Sequence, residues 1–254
     1  MAERLEVVAP NRAVKRKGET RERKRRKPIN RFSEAQLLHI ASDITSVSPG
    51  NILLLGGGAV LSEIAGYQRL RGRSDDLDFI ANEAGLEALL QQYNIKPWPV
   101  ENVGYFTVVD DVLVGVFYPT IRGLVMEQSI YDASVIRTTS QGQIHTVPAE
   151  LNLALKIRRG ASKNPPAIYG KDGIDAATLV TGLRVLNSPF DPPSFRATME
   201  LVCQSCRLEE PLACLDAIER HGSKQLPQKE RPYFEEVIGS CRRELAQQCK
   251  YSEG

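Results

Sequence analysis

The chain has 254 residues, 42% of them hydrophobic and 25% charged, with a net charge of +2. That is the composition of an ordinary soluble globular protein, with room for one large domain or two modest ones. No stretch approaches the roughly 20 apolar residues that a membrane span needs, and the N-terminus mixes acids and bases without the apolar core of a secretory signal. The expected setting is therefore the cytoplasm, with no membrane partner.

The small net charge hides an asymmetry. Residues 1–32 hold 12 Lys and Arg against 4 Asp and Glu, whereas the rest of the chain holds 21 against 27. The basic residues are densest over residues 15–27, from Lys15-Arg16-Lys17 to Arg23-Lys24-Arg25-Arg26-Lys27. Like charges this dense predict an extended or loosely helical tail, residues 1–32. Its functional reading is a contact with a phosphate backbone, RNA foremost; its plain reading is a solvated tail.

After the tail, Ser33-Glu34-Ala35-Gln36 is a capping-box pattern and predicts a helix to about Asp43. The apolar run Asn51 to Leu55 reads as a buried strand that leads straight into Gly56-Gly57-Gly58. Ala59 to Leu70 predicts a helix, with Val60, Leu61, Ile64 and Tyr67 at helical spacing. Asp76 to Ala81 is the next strand and Glu83 to Tyr93 the next helix. Tyr105 to Val109 and Val112 to Tyr118 are two strand-like runs whose connection, Asp110-Asp111, suits a hairpin turn. A further strand pair is expected between Val125 and Val147.

Pro148 then opens a helix over Ala149 to Arg159, a position where proline is tolerated. Lys171 to Leu183 follows as another helix. Beyond Pro192 only helical patterns remain, at about 193–208, 210–220 and 227–249. The layout predicts an α/β (α+β) core with a mixed sheet over residues 33–148 and an all-helical region over 149–254. All five cysteines lie past residue 200. Cys203 and Cys206 form a CxxC, but no second close pair or His pair accompanies it, so the preferred reading is small buried residues within the 193–208 helix rather than a zinc site.

The chemistry concentrates between residues 56 and 78. Successive side chains of a strand point to opposite faces, so Asp76 and Asp78 share one, roughly 6–7 Å apart along the strand. Two carboxylates so placed repel unless one is protonated or a cation lies between them. Oxygen-only ligands suit magnesium or manganese. The glycines allow a backbone turn to approach phosphates closely, at the N-terminal end of the next helix. Together these parts point to metal-assisted chemistry on a nucleoside triphosphate.

The strand–Gly-Gly–helix–strand unit ending in Asp-x-Asp resembles the nucleotidyltransferase superfamily with the DNA polymerase β-like fold. Gly56-Gly57-Gly58-Ala59-Val60 followed by Arg73-Ser74-Asp75-Asp76-Leu77-Asp78-Phe79 looks most like its AbiEii-type branch, which includes toxins of toxin–antitoxin pairs. Two further patches fit that branch: Val147-Pro148-Ala149-Glu150-Leu151 leading to Lys156, and Lys171-Asp172-Gly173-Ile174-Asp175. The resemblance covers about residues 50–185.

It implies that Asp76 and Asp78 hold Mg²⁺ or Mn²⁺, that Gly56 and Gly57 turn under the phosphates, and that Ser74 lies near the triphosphate. Lys156 would neutralise phosphate charge, with Asp172 behind it and Asp175 as the nearby alternative. The implied reaction moves a nucleoside monophosphate from an NTP to an acceptor hydroxyl, RNA with a tRNA-like end foremost, in a toxin with an antitoxin protein as partner.

Each residue has a plainer reading: Lys156 a solvated helix end, Asp172 and Asp175 helix N-terminal residues, Ser74 a turn, and Asp78 a partner for Arg71 or Arg73. The pattern also departs from the superfamily. A third carboxylate belongs on the strand after the acid pair, and Gly115 stands at that position. The competing reading is thus a catalytically reduced relative that binds nucleotide or RNA. An arginine expected before Lys171 is missing too, the nearest being Arg158 and Arg159.

Overall fold

A computed structural model describes residues 32–64, 76–98, 104–121, 124–203 and 206–252. Ser74, Arg71, Arg73 and the basic run 15–27 lie outside the described residues. Nine strands are described: β1 (Ile52–Leu55), β2 (Asp76–Ala81), β3 (Lys96–Pro97), β4 (Gly104–Val109), β5 (Val112–Phe117), β6 (Thr120–Ile121), β7 (Leu124–Val125), β8 (Val135–Thr139) and β9 (Gly142–Thr146). The described helices are α1 (Glu34–Ser46), α2 (Gly56–Glu63), α3 (Glu83–Gln92), α4 (Gln128–Asp132), α5 (Ala149–Ala161), α6 (Gly170–Val185), α7 (Pro192–Val202), α8 (Glu209–Ser223) and α9 (Arg231–Ser252).

Seven strands form one mixed sheet in the order β3-β4-β5-β2-β1-β9-β8. β2 runs antiparallel to β1 and parallel to β5, and β1 runs parallel to β9. Among the described residues β6 and β7 pair with each other in a separate two-stranded sheet. The strand that carries the acids therefore lies in the middle of the sheet. From residue 149 onward every described element is a helix, so the expected architecture, a mixed sheet with helices followed by a helical region, is the one observed.

Local chemistry explains several of these elements. Ser33 caps α1, its hydroxyl accepting the Gln36 N–H at 3.2 Å. The β4–β5 hairpin turns on two residues, Asp110 and Asp111, both with positive φ (47° and 67°). Positive φ at both central residues is the twist that lets a two-residue loop close a hairpin. All four residues of β1 are buried, as expected for a central strand covered on both sides.

Four sequence expectations need correction. The helix after β1 starts at Gly56, not Ala59, because the chain turns within one residue at Gly56 (φ 66°) and puts the glycines in the first helical turn. That helix ends at Glu63: Ile64 is extended and packs onto α6 at Gly182, where a Cβ would lie 2.3 Å from Ile64 Cδ1. The expected continuation from 65 to 70 lies outside the described residues. The helix that begins at Pro192 stops at Val202, with Cys203 as its C-cap, so Cys206 is not in it. Short pairings such as β3 with β4 and β6 with β7 escaped the sequence reading, since two-residue strands carry no periodicity.

Candidate functional site

The glycine turn is held by a residue nearly 100 positions away. Asn152, buried on α5, accepts the Gly56 N–H through Oδ1 at 3.0 Å and donates from Nδ2 to the Gly56 carbonyl at 3.0 Å. One side-chain amide thus satisfies both polar groups of the residue with left-handed backbone. Leu55, at the N-cap position of α2, has no side chain able to cap it. Its first-turn N–H groups must find acceptors elsewhere, and Gly57 and Gly58 line the cleft at that point.

Asp76 and Asp78 flank the turn. Leu77 between them is buried in the core, Asp78 is half-buried and Asp76 exposed, the alternation expected of one strand with a covered and an open face. Asp78 pairs across the ladders with Leu55 on one side and Gly115 on the other. A Cβ on Gly56 would lie 3.7 Å from Asp78 Oδ2, and a Cβ on Gly115 3.2 Å from Asp78 Oδ1. Gly115 is therefore the ladder neighbour of Asp78, the place where a third acid would complete a cluster. Asp111 sits at the far hairpin turn. Among the described residues no group of three or more His, Cys, Asp or Glu converges to hold a metal ion.

The cations come from α5 and α6. Lys156 is buried rather than a solvated helix end; its Nζ reaches Asp175 Oδ2 at 2.5 Å and Asp172 Oδ1 at 3.3 Å. Arg159 pairs with the other oxygen of Asp172. Burial raises the Asp172 carboxyl, but the charges of Lys156 and Arg159 outweigh it and hold it below the usual carboxylate range. Asp175, fully buried, is pushed up to about 8 by burial. Two cations and two carboxylates thus form one ion cluster, and Lys156 and Arg159 also line the cleft beside the glycine turn.

These groups share one cleft. One part is lined by Gly56, Gly57, Gly58, Asp76, Asp78 and the α5–α6 residues Lys156, Arg159, Lys171 and Asp172. An adjoining part shares Gly56, Asp78, Lys156 and Arg159 with it and adds Asn152, Leu155, Phe117 and Ile121. The structure thus brings together every candidate site residue it describes: Asp76, Asp78, Gly56, Gly57, Lys156 and Asp172. Ser74 lies outside the described residues.

Asn152, Arg159 and Lys171 were not singled out as site residues from the sequence. The first two had a signal: Asn152, Lys156 and Arg159 recur at i, i+4 and i+7, one face of α5. Arg159, one of the two arginines nearest the loop before Lys171, lies on α5. Two carboxylates offer hard oxygen donors that fit magnesium or manganese, provided that a phosphate-bearing substrate supplies the remaining oxygens. Elsewhere, burial and the neighbouring Cys206 push the Cys203 thiol far up. No described helix is long and apolar enough to cross a membrane.

No protein-family model matches the chain, and no curated protein matches it. Among solved structures it is similar to an antigenic nucleotidyltransferase-like protein from Paracoccidioides brasiliensis, at 13% identity and a TM-score of 0.40, over 68% of this chain and 95% of that one. A likeness at that distance assigns neither family nor activity.

Proposed function

We propose that this protein is a metal-dependent nucleotidyltransferase that moves a nucleoside monophosphate from an NTP to an acceptor hydroxyl. The observation that carries the reading is the convergence, in one cleft, of the Asp76–Asp78 pair, the glycine turn and the cations Lys156, Arg159 and Lys171. Carboxylates and cations interleaved around an open backbone turn suit a triphosphate with its counter-ion. They have no evident use for a neutral ligand.

Asp76 and Asp78 would hold Mg²⁺ or Mn²⁺, which supplies charge neutralisation at the phosphates and acidifies the acceptor hydroxyl. Gly56, kept in its left-handed conformation by Asn152, lets the turn approach phosphate oxygens without a Cβ in the way. Lys156 and Arg159 stabilise negative charge on the departing pyrophosphate. Asp172 is a positioning residue: it fixes both cations.

The acceptor we propose is RNA with a tRNA-like end, bound with help from basic residues 15–27. In the cell such an activity suits the toxin of a toxin–antitoxin pair, of the AbiEii type, held in check by an antitoxin protein. Gly115 beside Asp78 favours a second reading, a nucleotide- or RNA-binding relative with reduced catalysis.

Incubation with each α-labelled NTP, magnesium and total RNA separates the two. Label that enters RNA and is lost in Asp76→Ala supports transfer. RNA binding without incorporation of label, unchanged in Asp76→Ala, overturns it in favour of the binding reading.

A further inference from the structure

We propose that the open sheet face beyond the acid pair is the acceptor platform, on which an unpaired base of single-stranded RNA stacks against Trp98. The direction of entry rests on the nucleotidyl-transfer reading; the binding surface rests on the observations that follow. Residues paired directly across a ladder share a face. One row across the sheet therefore runs Leu55, Asp78, Gly115, Phe106, Lys96, and the next runs Asp76, Leu113, Val108. Each row starts at the glycine-turn side with a carboxylate in it and becomes apolar toward β4.

That apolar part is open. Val108 is 59% exposed and Leu113 37%, while Phe106 and Trp98 are half-buried. The Trp98 and Phe106 rings pack at a centroid distance of 5.0 Å and 41°. The indole lies against Gly115: a Cβ there would meet Trp98 Cζ2 in ordinary contact at 3.5 Å and would crowd Asp78 Oδ1 at 3.2 Å. A larger side chain would push the ring away from the carboxylate. Gly115 thus marks a seat for an aromatic ring beside Asp78.

The Trp98 N–H is buried without a hydrogen-bond partner among the described residues. A buried structural tryptophan ordinarily satisfies that donor, and leaving it unpaired is unfavourable.

Position and charge identify the occupant. The glycine turn adjoins the β1 end of the Asp78 row, where Leu55 stands, and the aromatic residues lie at its β5–β4 end. In phosphoryl transfer the attacking and leaving oxygens stand roughly in line. Phosphates and pyrophosphate at the glycine turn thus place the acceptor on the aromatic side. An aromatic and aliphatic ledge with Lys96 at its edge, in a chain with 12 Lys and Arg in its first 32 residues, suits bases on a phosphate backbone.

Trp98 is the only tryptophan, so its fluorescence reports this surface alone. The full chain, without NTP, is titrated with a short unstructured oligoribonucleotide and with an abasic oligomer of equal length. Saturable quenching by the first and none by the second is expected. By anisotropy of an end-labelled oligoribonucleotide, Trp98→Ala and the surface variant Leu113→Ser each raise Kd about ten-fold, as loss of a stacked base implies, and Trp98→Phe stays near wild type.

Equal binding of the abasic oligomer, or Kd within two-fold of wild type in both Trp98→Ala and Leu113→Ser, overturns the platform. Equal quenching by a free NTP that competes with the oligomer also overturns it, since the ring would then serve the incoming nucleotide. In Asp78→Asn label transfer should be lost and base-dependent quenching kept. Base-dependent quenching in a wild-type protein that never transfers label sinks only the transfer reading; label transfer by the wild type without base-dependent quenching sinks only the platform.

Discussion

Replacing Asn152 by alanine removes the clamp on the glycine turn, and its effect can be worked from two hydrogen bonds. Both are 3.0 Å long, and Asn152 is 2% exposed. Each bond contributes about 0.5–1.5 kcal/mol net, with more lost where a buried partner stays unsatisfied. The Gly56 side is part-buried, so water recovers some of that loss. The expected destabilisation is about 2–3 kcal/mol, or a melting temperature lower by about 5–10 °C for a chain of this size. Urea unfolding should show a lower midpoint with an unchanged slope, because the surface exposed on unfolding hardly changes. Nucleotide binding should weaken in parallel, since Gly56 alone has to hold a positive φ of 66°. A variant within 0.5 kcal/mol of wild type, with unaltered NTP affinity, would refute the view that Asn152 organises the turn.

The ion cluster predicts opposite pH responses for its two acids. Asp175 has its folded pKa raised from 3.8 to about 8, so its contribution to stability is present below 3.8 and is lost as pH rises toward 8. Between pH 5 and 8 this lowers stability by at most about 1.4 kcal/mol per unit, and Asp175→Asn should flatten the slope in pH-dependent urea titrations. Asp172 has its pKa lowered; its contribution is present above 3.8 and is lost as pH falls below it. Asp172→Asn leaves two cations with one less anion and should cost about 3 kcal/mol or more at pH 7, read by the same titration. Asp111→Gly relieves a left-handed backbone at φ 67° and should stabilise by roughly 1 kcal/mol, read as a raised urea midpoint. Gly115→Asp crowds a third carboxylate against Asp78; it should lower the melting temperature in EDTA and enlarge the stabilisation by magnesium. No difference from wild type in either condition would count against two-carboxylate metal binding.

Sequence by itself determined what depends on neighbours along the chain. The alternation of Asp76, Leu77, Asp78 and Phe79 placed both acids on one face. The two aspartates at 110–111 marked a hairpin, and Ser33 marked a helix start. The shift from strand to helical periodicity at residue 148 separated sheet from bundle. Each is a matter of backbone geometry over a few residues, where side-chain spacing and capping suffice. Local pattern failed where distant contacts govern. Helical spacing around Ile64 and Cys206 did not prevent both from leaving their helices, and the short strands β3, β6 and β7 exist only through their partners.

Tertiary structure alone decided how the site is built. Lys156 looked like a surface lysine because its neighbours Arg158 and Arg159 are charged; only the packing of α6 against the sheet helix α2, with Asp172 and Asp175 facing α5, buries it. Asn152 reaches Gly56 across 96 positions, and Trp98 reaches Gly115 by the fold of β3 onto β4 and β5. Spacing along the chain cannot encode such distances, because the long-range contacts that set them form when the sheet and helices pack. The acids and glycines were legible beforehand; the cations, the clamp and the aromatic face beside Asp78 were assembled by the fold.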